Sequence, residues 1–138
     1  MSWSIISDLT KYSEEELRTL NPISIAYIGD CIYELYIRNY VMKKFGNINS
    51  NKLHFEVIKY VNAKSQKEAY FKIKELLLEE EKLYFRRGRN SKIKTIPKNA
   101  TISDYRVATG FETIIGYLYI TRNFSRLDFI LNNILDIV

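Results

Sequence analysis

The chain has 138 residues, enough to bury an ordinary core without disulfide or metal staples. With 46% hydrophobic residues, 5 glycines and 2 prolines it is neither disordered nor low in complexity, and the single cysteine, Cys31, excludes an intrachain disulfide and a multi-cysteine zinc site. The net charge of +5 is local: "RRGRNSKIKTIPK", residues 86 to 98, holds Arg86, Arg87, Arg89, Lys92, Lys94 and Lys98 with no acid, and the remainder of the chain carries a net −1. Such an excess predicts a surface for a polyanion rather than a generally basic protein.

The N-terminal "MSWSIISDLTKYSEEE" lacks the positive start and apolar run of a leader, and no later stretch reaches the length of a membrane span. With one cysteine, the expectation is a cytoplasmic chain with no membrane partner. "LNPISIAYIGDCIYELYIRNYVMKKFGN" is punctuated as a helix from about Pro22 to Phe45, with Asn21 as cap, Pro22 in the first turn and Gly46 past the end. Its apolar positions run nearly all the way round, which predicts a central, buried helix.

Lys52 to Val61 reads as a short helix. "SQKE", Ser65 to Glu68, reads as a capping box opening a helix that carries Ala69, Phe71, Ile73, Leu76 and Leu77. "EEEKLYFRRG" is a further helix with an acidic start and a basic end, stopped by Gly88. Residues 88 to 100 form the one long irregular segment and hold much of the basic cluster. "TISDYRVATGFETIIGYLYITRN" predicts a second core helix capped by Thr101 or Ser103, with apolar spacing through Val107, Phe111, Ile114, Ile115 and Leu118. A last helix spans about 125–137. No internal repeat, linker or strand pattern is visible, so the expected fold is all-α, with residues 1–138 as one domain.

Two acids stand on apolar segments. Asp30, with Glu34 one turn on, projects in the direction of Ile23, Tyr27, Ile37 and Val41, and Glu112 lies within "ATGFETIIGYLY". An ionised carboxylate buried without a partner costs several kcal/mol, so each acid is paired, protonated or holding a cation. Arg38 is positioned to pair with Glu34. Glycines mid-helix cost about 1 kcal/mol each relative to alanine. Gly29, Gly110 and Gly116 therefore predict a close crossing of the two core helices, with Asp30 and Glu112 within reach of one metal ion. Hard cations such as Mg²⁺ take a few carboxylates plus waters, leaving positions for phosphate oxygens and a nucleophilic water. His54 and Cys31 have no partner at a nucleophile's spacing, and the 11 tyrosines suit core and interface positions.

"AYIGDCIYELYIR" followed by "FETIIGYLY" resembles the two acidic motifs of the ribonuclease III catalytic domain. The intervening "NAKSQ" (62–66), "RRGRNSK" (86–92) and "TIPKN" (95–99), in this order and spacing, are similar more specifically to the Mini-III ribonucleases, over roughly residues 20 to 122. The resemblance implies an all-helical homodimer that cleaves double-stranded RNA with Mg²⁺, with Asp30 and Glu112 as catalytic metal ligands. Ordinary ribonuclease III enzymes carry further acids where this chain has Ala26 and Thr109, an absence shared with Mini-III enzymes. Glu34 and Asp104 match no motif residue.

The chain ends soon after its last helix, so the expectation is that no appended double-stranded RNA-binding domain supplies affinity. Arg86, Arg87, Arg89, Lys92, Lys94 and Lys98 are then the expected contacts to RNA phosphates and 2′-hydroxyls. The resulting expectation is an endoribonuclease that leaves 5′-phosphate and 3′-hydroxyl ends, by resemblance on a large ribosomal RNA precursor. A noncatalytic RNA-binding or ribosome-associated module with relic acids is the alternative. A helical interaction protein with an acidic partner is a third reading.

Overall fold

The computed structural model describes residues 11–92 and 100–135, and every regular element among them is helical. The order is α1 (Glu14–Thr19), α2 (Pro22–Phe45), α3 (Ser50–Val61), α4 (Ala63–Ile73) with a 3₁₀ turn at Lys74–Leu76, α5 (Glu79–Arg89), α6 (Ile102–Ile120) and α7 (Phe124–Asn132). No helix is long and apolar enough to cross a membrane among the described residues.

Side-chain caps set most of the helix starts. Asn21 accepts from Ile23 N at 2.9 Å, Asn49 from Lys52 N at 3.0 Å and Thr101 from Asp104 N at 3.0 Å. Gly46 closes α2 at φ +68°, a conformation that favours glycine. The unpredicted α1 is opened by a reciprocal Ser13–Glu16 capping box that stands openly in "SEEE".

Three expectations are corrected. Ser65 does not cap α4: Asn62 does, accepting from Ser65 N at 2.9 Å, while the Ser65 hydroxyl turns back to donate to Lys59 O. The helix therefore starts at Ala63, and its buried face is Gln66, Ala69 and Ile73, with Leu77 beyond; Phe71 and Leu76 are exposed. Gly88 does not stop α5, which continues through it to Arg89. A Cβ on Gly88 would strike the Thr113 side chain, so this glycine serves the α5–α6 contact. The last helix ends at Asn132, short of the expected 137.

α6 is the centre of the molecule. It packs against α2, α4, α5 and α7, and Phe111, Ile114, Ile115 and Leu118 are essentially inaccessible. Tyr33 of α2 meets Phe111 edge to face at 5.0 Å. α2, by contrast, is not buried all round. Its neighbours α6, α3 and α5 cover one stripe, Ile25, Ala26, Gly29, Tyr33, Ile37 and Val41. Ile23 and Tyr27, expected on the buried side, are 40% and 77% exposed.

Candidate active site

The site grows out of the α2–α6 crossing. A Cβ on Gly29 would overlap the Glu112 carbonyl oxygen and lie 2.7 Å from the Glu112 carbonyl carbon and 2.8 Å from Gly116 N. One on Gly116 would overlap the carbonyl oxygen of Ile25 and lie 3.0 Å from Ile25 Cγ2. The two helices thus meet backbone to backbone, at a separation only glycine permits. The third expected glycine serves a different contact, because Gly110 faces the ring and carbonyl of Phe85 on α5.

Because Gly29 seats on the backbone of Glu112, its neighbour Asp30 falls beside the Glu112 side chain. Asp30 is exposed, not buried as the apolar stripe suggested: of that stripe Ile37 and Val41 are buried, whereas Ile23 and Tyr27, toward the start of α2, are exposed; Glu112 is half-buried. The Glu112 carboxyl is pushed up to about 9 by burial first, then by its hydrogen bond to Asp30 and the Asp30 charge, with a hydrogen bond from Gln66 acting the other way. Two carboxyls this close do not both ionise at neutral pH unless a cation offsets their repulsion, so one proton is held between them.

Gln66 is a residue that sequence reasoning missed. It is 2% exposed on α4, and its Nε2 donates to Val61 O at 3.0 Å. Its Oε1 is buried without a hydrogen-bond donor among the described residues. The available signal was a carboxamide at the head of an apolar face that continues with Ala69 and Ile73.

The other acids are engaged elsewhere. Glu34 pairs with Arg38 at 3.0 Å. Asp104 pairs with Lys67 at 3.3 Å, and it stands eight residues before Glu112, about 12 Å along the helix axis. No group of three or more potential metal ligands forms among the described residues. The donor set is therefore the two carboxyls of Asp30 and Glu112. It fits a hard cation that takes few protein oxygens and keeps its waters.

Of the basic cluster, Arg86 and Arg87 lie on the last turn of α5 as expected, Arg89 ends that helix rather than standing in the irregular segment, and Lys92 is just beyond; Lys94 and Lys98 lie outside the described residues. Arg86 and Lys92 are exposed. Arg87 is anchored, donating to Leu20 O at 3.0 Å and lying over the Tyr84 ring. Arg89 lies over Phe85, and its carbonyl accepts from Arg106, a cation of α6 not in the predicted set. Arg86 and Arg89 share the wall of a cavity of about 230 Å³ with Lys74, Lys82, Tyr70 and Phe85.

The fold is all-helical with paired acids at a glycine crossing, and the family model for the Ribonuclease III domain matches residues 24–123. The Mini-ribonuclease 3 of Clostridium tetani is 43% identical over 127 residues, covering 92% of this chain and 84% of that protein. That of Thermoanaerobacter sp. is 47% identical over 119 residues, covering 86% and 83%. A solved structure of a Fusobacterium nucleatum protein superposes with a TM-score of 0.76 at 38% identity, over 84% of this chain and 92% of that one. The chain belongs to the ribonuclease III family of endoribonucleases, and within it to the Mini-ribonuclease 3 group.

Proposed function

We propose that the protein cleaves double-stranded RNA as a homodimer, with Asp30 and Glu112 holding Mg²⁺ in each protomer. The observation that carries this reading is the carboxyl pair itself. The fold spends two glycines on bringing Asp30 and Glu112 together, although their mutual repulsion costs stability. Evolution toward stability alone has no use for such a pair; a cation site does.

A bound Mg²⁺ supplies the charge that acidifies water and stabilises the departing 3′ oxygen. Asp30 and Glu112 contribute the protein oxygens, and Glu112 gives up its proton when the cation arrives. The exposed Arg86 and Lys92, with Lys94 and Lys98, bind backbone phosphates and hold the duplex against the pair. In-line attack by water on phosphorus leaves 5′-phosphate and 3′-hydroxyl ends. The exposed Ile23 and Tyr27 lie on the Asp30 side of α2 and suit coverage by a second copy of the chain.

The substrate we favour is a large ribosomal RNA precursor in the cytoplasm. The test is a Mg²⁺-dependent cleavage assay on duplex RNA, with wild type and Asp30→Asn side by side. Cleavage should be lost in Asp30→Asn while RNA binding persists. Intact duplex RNA with wild-type protein across salt and metal titrations would sink the enzymatic reading and leave a noncatalytic RNA-binding module.

A further inference from the structure

The cavity of about 230 Å³ between α4 and α5 gathers charge of one sign: Lys74, Lys82, Arg86 and Arg89 line it against a single acid, Glu75, four cations to one carboxylate and a net of +3. Lys82, Phe85, Arg86 and Arg89 stand at i, i+3, i+4 and i+7 and so share one face of α5, while Lys74 comes from the 3₁₀ turn that follows α4. Tyr70 and Phe85, which also line the cavity, stack at 4.0 Å. Arg89 is held over the Phe85 ring, with its Nε donating to Asn90 Oδ1 at 3.3 Å. Ion pairing does not explain the cluster. Lys74, Arg86 and Arg89 pair with no carboxylate among the described residues, and Lys82 pairs at 3.3 Å with Glu79, which does not line the cavity. The helix dipole favours cations at the C-terminal end of α5 and accounts for Arg86 and Arg89 there; it opposes Lys82 near the start of the helix and has no bearing on Lys74.

We infer that this cavity is a binding site for a terminal phosphate, the doubly charged monoester carried by a nucleotide or by the 5′ end of an RNA strand. A net of +3 favours a dianion over the singly charged diester of an RNA backbone. Ammonium and guanidinium groups on two walls donate to different oxygens of one monoester, in charge-assisted hydrogen bonds. The volume is far beyond the ~10–15 Å³ that admits one water. The inference is separate from the acidic pair, and it brings in Lys74 and Lys82, which lie outside the basic cluster at 86–98. A 5′-phosphate is also the end that the proposed cleavage leaves, so a product strand is one source of the ligand and a free nucleotide the other.

The test measures binding by the full chain in chelator, where metal-dependent cleavage is off. The probes are a single-stranded oligoribonucleotide with a 5′-phosphate, the same strand with a 5′-hydroxyl, and adenosine 5′-monophosphate. A hydrogen bond to a charged group is worth about 10- to 100-fold in affinity, so the phosphorylated strand should bind at least about tenfold tighter than the hydroxyl strand. Lys74→Gln combined with Lys82→Gln should erase that preference with little change in Tm. Should the double variant melt early, Lys74→Gln alone, at an exposed position, carries the test in the same direction. Adenosine monophosphate that displaces the phosphorylated strand at comparable affinity identifies a free nucleotide as the ligand; displacement by phosphorylated strands alone identifies the RNA end. Equal affinity of the two strands for the wild type would overturn the inference. So would a double variant that weakens both strands by the same factor, the behaviour of a general cationic surface. Long duplex RNA, measured alongside, tests the reading as a double-strand nuclease separately: a wild type that ignores the duplex yet binds the monophosphate loses that reading and keeps the site.

Discussion

The glycine contact between α2 and α6 makes a quantitative prediction. Gly29→Ala adds a single methyl group at a point where the obstructing atoms are backbone: the Glu112 carbonyl oxygen, with the carbonyl carbon at 2.7 Å and Gly116 N at 2.8 Å. To bring the last two to an ordinary contact, each must retreat by about 0.6 Å or more, and neither can do so by changing a rotamer. The whole of α6 must shift against α2. Overpacking costs typically about 1–3 kcal/mol, and a clash with helix backbone belongs at the upper end. Alanine returns about 1 kcal/mol through its better helix propensity. The net loss is then about 2 kcal/mol, on the order of an 8 °C drop in Tm for a chain of this size. Calorimetry or circular dichroism measures it, with Mn²⁺ binding as the second reading, because separating the helices separates Asp30 from Glu112. Gly116→Ala, which strikes Ile25 from the other side, should behave alike. A Gly29→Ala protein that melts at or above the wild type, as an unhindered helical glycine would allow, rules out the tight crossing.

Glu112 predicts a pH dependence. Its folded carboxyl titrates near 9, above the ordinary carboxylate value of the unfolded chain, so the unfolded state ionises first and metal-free stability falls as pH rises through that window. Glu112→Gln should therefore melt increasingly above the wild type from about pH 4 to about pH 9 in chelator, and equal melting curves throughout would contradict the shift. Between α5 and α7, Arg126 donates to both oxygens of Glu81, a carboxylate only 2% exposed that also accepts from Leu78 N. Arg126→Ala strands that charge and should cost about 3–5 kcal/mol in urea denaturation. For the cationic helix end, Arg86→Ala combined with Lys92→Ala should weaken duplex RNA binding irrespective of sequence. The slope of log affinity against log salt should shrink by about 1 for each phosphate contact removed; an unchanged slope would place the RNA elsewhere.

The legible features were local ones. Asn21, Pro22 and Gly46 delimited α2 because caps act within one turn, and of the two caps open to α6, Thr101 and Ser103, it is Thr101 that starts the helix. The capping box that "SQKE" suggested failed because Asn62, three residues earlier, both ends α3 and caps α4, so two nearby polar residues competed for one helix start. Gly88 misled in a similar way. As a residue it suits a helix stop, but its lack of a side chain is used here against Thr113, a partner 25 residues away.

Periodicity, caps and composition act over a few residues, and they suffice to mark most of the helical segments. They also single out Asp30 and Glu112 as acids out of keeping with their neighbours, with glycines next to one and near the other. Which glycines meet is a matter of how the helices pack. Gly29 and Gly116 seat α2 on α6, Gly110 and Gly88 seat α5, and from that register Asp30 comes beside Glu112 with Gln66 behind it. The same packing leaves one apolar face of α2, with Ile23 and Tyr27, uncovered among the described residues. Side-chain direction repeats within a helix and can be read along it, whereas the pairing of two helices depends on the close fit of surfaces far apart in the chain.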